Sequence, residues 1–504
     1  MKKFGIWIIS PSSYNNRGLV SQFSLVLMIP PIFGVMKGLI NTTAKKLGVE
    51  IDVFCVNERL ERGDGYIQSI IINKNFVDKI VFISAKTFEL PRAIDIARQF
   101  IKSGTKVIIG GAGVTLADWK VYNLLNREGI SFNIGEGEET TPKIIDDFVS
   151  DSLRILYWQR SFVDLNKAPF PTVPDIVDEK YKHGLNSMAG IDTCEGCPFK
   201  CSFCCVTTLR GREMCLSRAR NVEGVIEWIE KTHKLGLPIM ILDDNFKRSP
   251  NYHHLVWGLI KLNERLNKKL KIFAQVDTAI RLSDIRDLAL AGIKQVFLGV
   301  ESFDLVNLKG ANKNQNNPDK YQRLVSEFHK YRIKVDAGWI IGWPNQTVEA
   351  IITEAKLMED NFDLITPFNL VAFPGTEDYF KSISNDEIVD FDLNSYDTKH
   401  FVRKLNSMTE RDAYTAKKKA FRVIYSLKHA LGSSGLRVSI FTDTAYCRLI
   451  AWLGNMQVGD PYQVIMDGIP HFGGPYIQRP FDSYKGEPLT IEDLTKKEAC
   501  LESI

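Results

Sequence analysis

The sequence predicts an α/β protein in three parts: an N-terminal Rossmann-like doubly wound sheet, a central partial (β/α)6 barrel and a mainly helical C-terminal region. Three observations carry this expectation. Short apolar runs alternate with amphipathic stretches over residues 1–150, and glycines follow the runs, as in a parallel sheet with crossover helices. The alternation pauses in a Pro-punctuated linker, 151–186, and resumes over 187–385 with six candidate strands. It is lost over 386–504, where a long helical stretch, Glu410–Leu431, stops at Gly432-Ser-Ser-Gly435 and aromatic, Gly/Pro-rich segments follow.

In the first part, Phe4–Ile9 reads as a strand, Pro31–Lys46 as a helix and Glu50–Cys55 as the next strand. Lys79–Ile83 and Thr105–Ile109 are further strands around the helix Ala93–Lys102, and the last runs into Gly110-Gly-Ala-Gly113. Ligands of such sheets sit at the strand carboxyl ends. That rule puts Ser10–Gly18, Ala85–Glu89 and Gly110–Thr115 on the binding edge. The barrel strands are expected at Met188–Asp192, Ile239–Leu242, Ile272–Val276, Gln295–Val300, Val335–Ile341 and Leu364–Phe373, with the working face again at their carboxyl ends.

The chain has 504 residues, 64 basic and 60 acidic, for a net charge of +4, too small to argue for a nucleic-acid partner. At 44% hydrophobic and 25% charged it is neither disordered nor fibrous. The longest apolar stretch, Phe23–Met36, has 14 residues and falls short of a membrane span. No signal-peptide pattern is present, so a cytoplasmic protein is expected. Six of the nine cysteines crowd into Cys194–Cys215, which reads as a reduced metal or redox site rather than a disulfide framework. No histidine precedes His183.

The crowded stretch contains Cys197-x3-Cys201-x2-Cys204 in a loop just after the first barrel strand. Soft thiolates at this spacing select an iron–sulfur cluster or zinc. A structural zinc site wants four ligands, and Cys194 or Cys205 could supply the fourth. The run Gly196-Cys-Pro-Phe-Lys-Cys-Ser-Phe-Cys-Cys-Val-Thr-Thr-Leu-Arg-Gly-Arg212 resembles the radical S-adenosylmethionine (SAM) superfamily, in the branch whose barrel follows an N-terminal cobalamin-binding-type domain. The resemblance implies that Cys197, Cys201 and Cys204 ligate a [4Fe–4S] cluster whose open iron binds SAM. It also implies SAM contacts from Phe203, from Asp243, Asp244 and Asn245 at the second strand end, and from Gln275 and Asp277 at the third. Glu301 and Ser302 end the fourth, and Gly338 and Ile340 lie on the strand expected at adenine. Phe373-Pro-Gly-Thr376 resembles the family's strand-end Pro-Gly-Thr. The plainer alternatives are a solvated turn at Asp243-Asp244, a structural salt bridge at Glu301 and a simple turn at Phe373–Thr376.

Three N-terminal stretches, Pro30–Val35, Ile108–Thr115 and Gly135–Thr140, also resemble that branch. By resemblance, cobalamin would be held by Ser10, Pro11 and Ser12, by Ser84, Ala85 and Lys86, by Gly110, Gly111, Ala112, Gly113 and Val114, and by Gly135, Glu136 and Gly137. The Asp-x-His-x-x-Gly motif of the best-known cobalamin proteins is absent, and the domain has no histidine to serve as a lower axial ligand. The alternative is a Rossmann-like wall without cofactor. The expected function is a cobalamin-dependent radical SAM C-methyltransferase acting on an unactivated carbon. A cyclase, C–C bond-forming enzyme or rearrangement catalyst without methyl transfer is the rival, and a zinc-stabilised binding protein the third reading. Expected partners are a small-molecule, lipid or peptide substrate and an external one-electron reductant of flavodoxin or ferredoxin type. No catalytic residue is assigned. Tyr446, Trp452, His471, Phe472, Tyr476 and Arg479 are candidate substrate-lining residues in the tail. With only Cys447 and Cys500 there, a second cluster is not expected.

Overall fold

The computed structural model describes residues 3–21, 28–61, 63–171, 188–209, 218–424 and 477–504. The glycine stop after Leu431, Cys215, Cys447, and Tyr446, Trp452, His471, Phe472 and Tyr476 lie outside these residues. The strands in chain order are β1 (Lys3–Ser10), β2 (Met28–Ile29), β3 (Glu50–Asn57), β4 (Lys79–Ser84), β5 (Lys106–Gly110), β6 (Ser131–Ile134) and β7 (Leu156–Trp158). They continue with β8 (Met188–Ile191), β9 (Cys194–Glu195), β10 (Arg218–Ala219), β11 (Ile239–Ile241), β12 (Ile272–Val276), β13 (Ile293–Glu301), β14 (Lys334–Ile341) and β15 (Leu364–Asn369).

The first sheet is parallel, in the order β3-β1-β4-β5-β6-β7. Its central strands are apolar at successive positions because both faces are covered. Ile6 and Ile8 pack on one side with Phe33, Ile40 and Phe148 from the helices Pro31–Leu47 and Gly137–Val149. Trp7 and Ile9 pack on the other with Ile94, Phe100 and Val121 from Leu90–Lys102 and Trp119–Arg127. The order reverses between β1 and β4, the position where doubly wound sheets open a crevice. The sixth strand, β7, comes from the stretch read as linker.

The second sheet is also parallel, in the order β15-β14-β13-β12-β11-β8-β2. From β8 to β15 it holds the six expected barrel strands side by side. Its seventh, β2, is a two-residue piece of the N-terminal part paired to β8, so the barrel's first strand and the N-terminal part share one sheet. Alternation sets the lumen: Val296, Leu298 and Val300 of β13 enter the outer core beneath the helices. Phe297, Gly299 and Glu301 therefore fall on the lumen side.

Beyond the barrel, the helix Glu410–Ile424 buries Ala413, Ala416, Ala420 and Phe421. The last described segment returns to the N-terminal part: Arg479 N donates to the Gly18 carbonyl at 2.7 Å and the Ser483 hydroxyl to Asp95 at 2.6 Å, while the Arg479 guanidinium forks onto Asp392 at 2.7 and 3.0 Å. Lys497 donates to the Thr115 carbonyl at 2.9 Å. Arg479, a candidate substrate residue from sequence, thus fastens this strap and covers the Tyr14 ring at 5.1 Å. Among the described residues no helix is long and apolar enough to cross a membrane.

Candidate functional site

The cysteine loop is anchored at its root by two adjacent acids that end β11. Asp243 accepts from Thr193 N at 2.7 Å, Thr193 Oγ1 at 2.5 Å and Cys194 N at 2.9 Å. Asp244 accepts from Gly196 N at 2.8 Å, and Gly196 takes φ 96°, where a side chain would be strained. Further along, Ser202 N donates to the Ala311 carbonyl at 3.1 Å, and Asp378 N to the Ser202 carbonyl at 3.2 Å. Cys197, Cys201 and Cys204 are free thiols in this loop, and Cys201 is buried. Asn245 Nδ2 points at Cys197 Sγ (3.9 Å) and Gln315 Nε2 at Cys201 Sγ (3.8 Å). Burial pushes all three thiols above their ordinary pKa. Donors aimed at sulfur in a low-dielectric pocket suit thiolates whose charge is taken by a metal cluster, since second-shell hydrogen bonds to sulfur tune such sites. Among the described residues no group of three or more His, Cys, Asp or Glu stands close enough to hold a single metal ion.

Asp243 is not a solvated turn. It is 1% exposed, and burial pushes its pKa up to about 7 against three hydrogen bonds that pull it down. An acid whose folded pKa exceeds its unfolded value of about 3.9 gives stability that is complete below that value and lost as pH rises through about 7. Asp243→Asn keeps the Oδ1 acceptor and gives Thr193 Oγ1 a donor. Between about pH 5 and pH 8 the wild type is expected to lose on the order of a few kcal/mol more stability than Asp243→Asn, measured by urea denaturation. Equal pH dependence in the two proteins would remove Asp243 as the titrating group.

The remaining expected SAM residues divide. Glu301 ends β13 at φ 65°, where the β13–β14 register shifts, and its carboxylate meets Lys313 Nζ at 2.8 Å. Such bulges re-aim a side chain. Gly299 and Gly338 pair across β13 and β14, and a Cβ on Gly299 would lie 2.7 Å from Glu301 Oε1 and 2.8 Å from Lys313 Nζ. Phe203, Ile340, Trp343, Ala311 and Leu370 form a small apolar cluster beside the loop. Ser302 is not brought to this group: it is fully buried, and its hydroxyl meets the Glu354 carboxylate at 2.5 Å. Asp277 is held by the Arg248 guanidinium at 2.7 and 2.9 Å and by Asn245 at 3.1 Å, while Gln275 stays exposed. Lys313 was not legible in sequence; it lies in the irregular run Asn312-Lys-Asn-Gln-Asn316.

Between the carboxyl ends of the two sheets lies a cavity of about 360 Å³. Ser84, Gly110, Gly111, Ala112, Gly135, Glu136 and Gly137 line it, as does the helix start Pro31–Met36. Ser10, Pro11, Ser12, Ala85, Lys86, Gly113 and Val114 do not line it. The first loop turns away, because Ser12 N donates to buried Glu58 at 2.8 Å and the Tyr14 hydroxyl to Asp95 at 2.7 Å. Ala85 instead accepts from Gly113 N at 2.8 Å, and Lys86 O would lie 2.6 Å from a Cβ on Gly113, so these residues pack loop on loop below the lining. Five carboxylates face the cavity: Glu136 and Glu138 from the first sheet, and Asp192, Glu195 and Asp244 from the barrel. Arg218 bridges Glu195 (2.8 Å) to Glu136, and Arg220 reaches Asp192 at 2.8 Å. Burial and the Glu136 charge push the Glu138 pKa up. Ile8, Val35, Phe82, Ile108 and Ile144 supply an apolar wall. Carboxylate acceptors around an apolar wall fit a flat macrocycle fringed with amide donors, which is the chemistry of a corrin. Glu138, Asp192 and Glu195 escaped sequence reasoning because they meet only across the two sheets.

Residues 191–358 match the family model described as Radical SAM superfamily. The bacteriochlorophyllide d C-12(1)-methyltransferase of Chlorobaculum tepidum is 24% identical over 335 residues, covering 64% of this chain and 69% of that protein. Among solved structures, the radical SAM methyltransferase TsrM from Kitasatospora setae, with tryptophan and a SAM analogue bound, superposes with a TM-score of 0.60 at 15% identity, covering 77% of this chain and 78% of that one. The cobalamin-dependent SAM radical enzyme OxsB, with aqua-cobalamin and SAM bound, superposes with a TM-score of 0.63 at 13% identity over 84% of this chain and 66% of that one. At these identities the structural likeness concerns the fold.

Proposed function

We propose that this chain, whose residues 191–358 match the Radical SAM superfamily model, is a cobalamin-dependent radical methyltransferase that methylates an unactivated carbon. The observation that carries the reading is the shared cavity: Asp244 and Glu195, at the root of the cysteine loop, face Gly110–Ala112 and Gly135–Gly137 across it. A methyl-carrying cofactor and a radical-generating one would then meet over one substrate. The cluster would supply the electron that splits SAM into methionine and a 5′-deoxyadenosyl radical, and cobalamin would carry the methyl group.

The chain's own residues then have distinct tasks. Cys197, Cys201 and Cys204 would hold the cluster, with Asn245 and Gln315 donating to the sulfurs of Cys197 and Cys201. Glu301, Lys313 and the glycine pair Gly299 and Gly338 shape the SAM pocket. Glu136, Glu138 and Asp192 would accept from the corrin amides, and the apolar wall would exclude water. Arg218 is a positioning residue that ties Glu195 to Glu136. Its change to Ala is expected to weaken cobalamin retention about 10-fold, since a hydrogen bond between charged groups contributes about 1.5–3 kcal/mol. Undiminished cobalt content after gel filtration would refute that role.

The test of the reading itself is anaerobic purification with cobalamin supplied, followed by iron and cobalt analysis and product mass spectrometry. About four irons and one cobalt per chain, with products heavier by one methylene unit, are the expected result. Four irons without cobalt would overturn the methyl-transfer reading and favour a radical rearrangement.

A further inference from the structure

One wall of the cavity is a face of the first sheet. Ile8, Phe82 and Ile108 stand side by side on β1, β4 and β5 and line it together. The next row toward the carboxyl ends is polar and bare: Ser84 pairs with Gly110, and a Cβ on Gly110 would lie 3.5 Å from Asn133 Cβ. On β6, Phe132 and Ile134 enter the opposite core, so Asn133 between them falls on the cavity side, which it lines. Asn133 is 8% exposed. Its Nδ2 donates to the Gly135 carbonyl at 3.3 Å, which fixes which way the amide points. Its Oδ1 is left with no hydrogen-bond partner among the described residues. The surroundings are tied in place. Gly135 takes φ 94° and donates through its N to Thr115 Oγ1 at 3.0 Å, and Thr115 Oγ1 donates to the Gly111 carbonyl at 3.0 Å. Lys497, on the last helix, holds the Thr115 carbonyl. The Asn133 amide is thus pre-oriented rather than free to turn toward another partner.

We propose that Asn133 is a ligand contact of this cavity, its Oδ1 accepting an N–H from the carboxamide fringe of the corrin. The inference rests on the cobalamin reading of the cavity. A flat ligand that lies against Ile8, Phe82 and Ile108 passes over Gly110, where no side chain stands in its way, and brings its rim to Asn133. The group it presents there must be a donor, because an amide oxygen can only accept. A neutral acceptor also suits the place, since it takes the N–H of a neutral carboxamide without adding charge to a cavity that already holds Glu136, Glu138 and Asp192. The energetics point the same way. A buried acceptor without a partner costs stability, and an apolar side chain would continue the neighbouring row at no such cost. Local rules are broken in this manner where binding requires it.

The experiment compares the full-length wild type, reconstituted with iron and sulfide, with Asn133→Leu and Asn133→Ala. Two probes are titrated, hydroxocobalamin and dicyanocobinamide, and binding is read by ultrafiltration and the visible spectrum. Cobinamide keeps the carboxamide fringe of the ring and lacks the nucleotide tail. Both variants are expected to bind both probes about 10-fold more weakly, because a ligand N–H loses its acceptor. Asn133→Leu should unfold in urea at or above the wild-type midpoint, since it removes a buried unpaired acceptor. Asn133→Ala adds no bulk beside Gly110 and keeps the test decisive if the leucine disturbs folding. Undiminished affinity in a folded variant, with wild type binding both probes, would overturn the Asn133 proposal alone. Weakening confined to hydroxocobalamin would put the contact on the nucleotide tail and overturn the carboxamide assignment. A wild type that binds neither probe, with its cluster intact, would overturn the cobalamin reading and the Asn133 proposal together.

Discussion

Changing Cys201 to Ala is expected to abolish reductive SAM cleavage while leaving the fold in place. Cys201 is 7% exposed, and its sulfur is the target of the Gln315 amide. Removing one small side chain leaves a cavity worth about 1 kcal/mol, far less than a domain's stability. The loop backbone is held independently by Asp243, Asp244, Ala311 and Asp378, none of which needs the thiol. Circular dichroism and the denaturation midpoint should therefore stay close to wild type, while iron content and 5′-deoxyadenosine production fall to background. Cys205→Ala is the matched control. Cys205 is half-buried, and its carbonyl accepts from Thr208 N and Leu209 N to start the next helix, so its contribution runs through backbone that Ala preserves. It should keep both iron and cleavage. Retained cleavage in Cys201→Ala, or its loss in Cys205→Ala, would overturn the assignment of the three ligands.

The contrast between these two neighbouring cysteines shows what a sequence makes legible. Spacing along the chain singles out Cys197, Cys201 and Cys204, and apolar periodicity finds β1, β3, β4, β5 and all six barrel strands, because both signals are local. The pairing of β2 with β8 is invisible, since two residues have no period. The ligand edge of the first sheet was only half legible. Gly110–Ala112 and Gly135–Gly137 reach the cavity because they follow strands at the switch of strand order. The equally plausible loop after β1 is diverted by Glu58 and Asp95, residues 46 and 81 positions away from their partners. The acids of the cavity gain meaning only when Glu136 and Glu195 meet on Arg218, a contact between two separately encoded sheets. The strap at Arg479 and Ser483 is a further case, for the hydroxyl that meets Asp95 lies 388 positions from it.

Lys313 carries the second large expectation. Its side chain is 12% exposed and its ammonium stands 2.8 Å from Glu301 Oε1, with the Phe203 ring centre 5.9 Å away. Burial pulls its pKa down, but the charges of Glu301 and Cys201 pull it up further, so it remains a cation. Glu301 in turn sits at φ 65°, a conformation that costs a non-glycine residue about 1–3 kcal/mol and persists where surrounding structure holds it. The ion pair is part of what holds it. Lys313→Met removes the cation and leaves a carboxylate 8% exposed without its partner, which costs about 3–5 kcal/mol. The single variant should lose about that much stability in urea and bind SAM at least about 10-fold more weakly, because the pocket's carboxylate is released from its position. Adding Glu301→Gln removes the stranded charge, so the double variant should regain most of the stability. It should not regain SAM affinity, because the carboxylate expected to meet the SAM amino or ribose group is gone. That split between recovered folding and unrecovered binding distinguishes a ligand-holding pair from the structural salt bridge that the sequence also allowed. Recovery of both in the double variant would make the pair structural, and recovery of neither would mean that Lys313 acts through the thiolates rather than through Glu301.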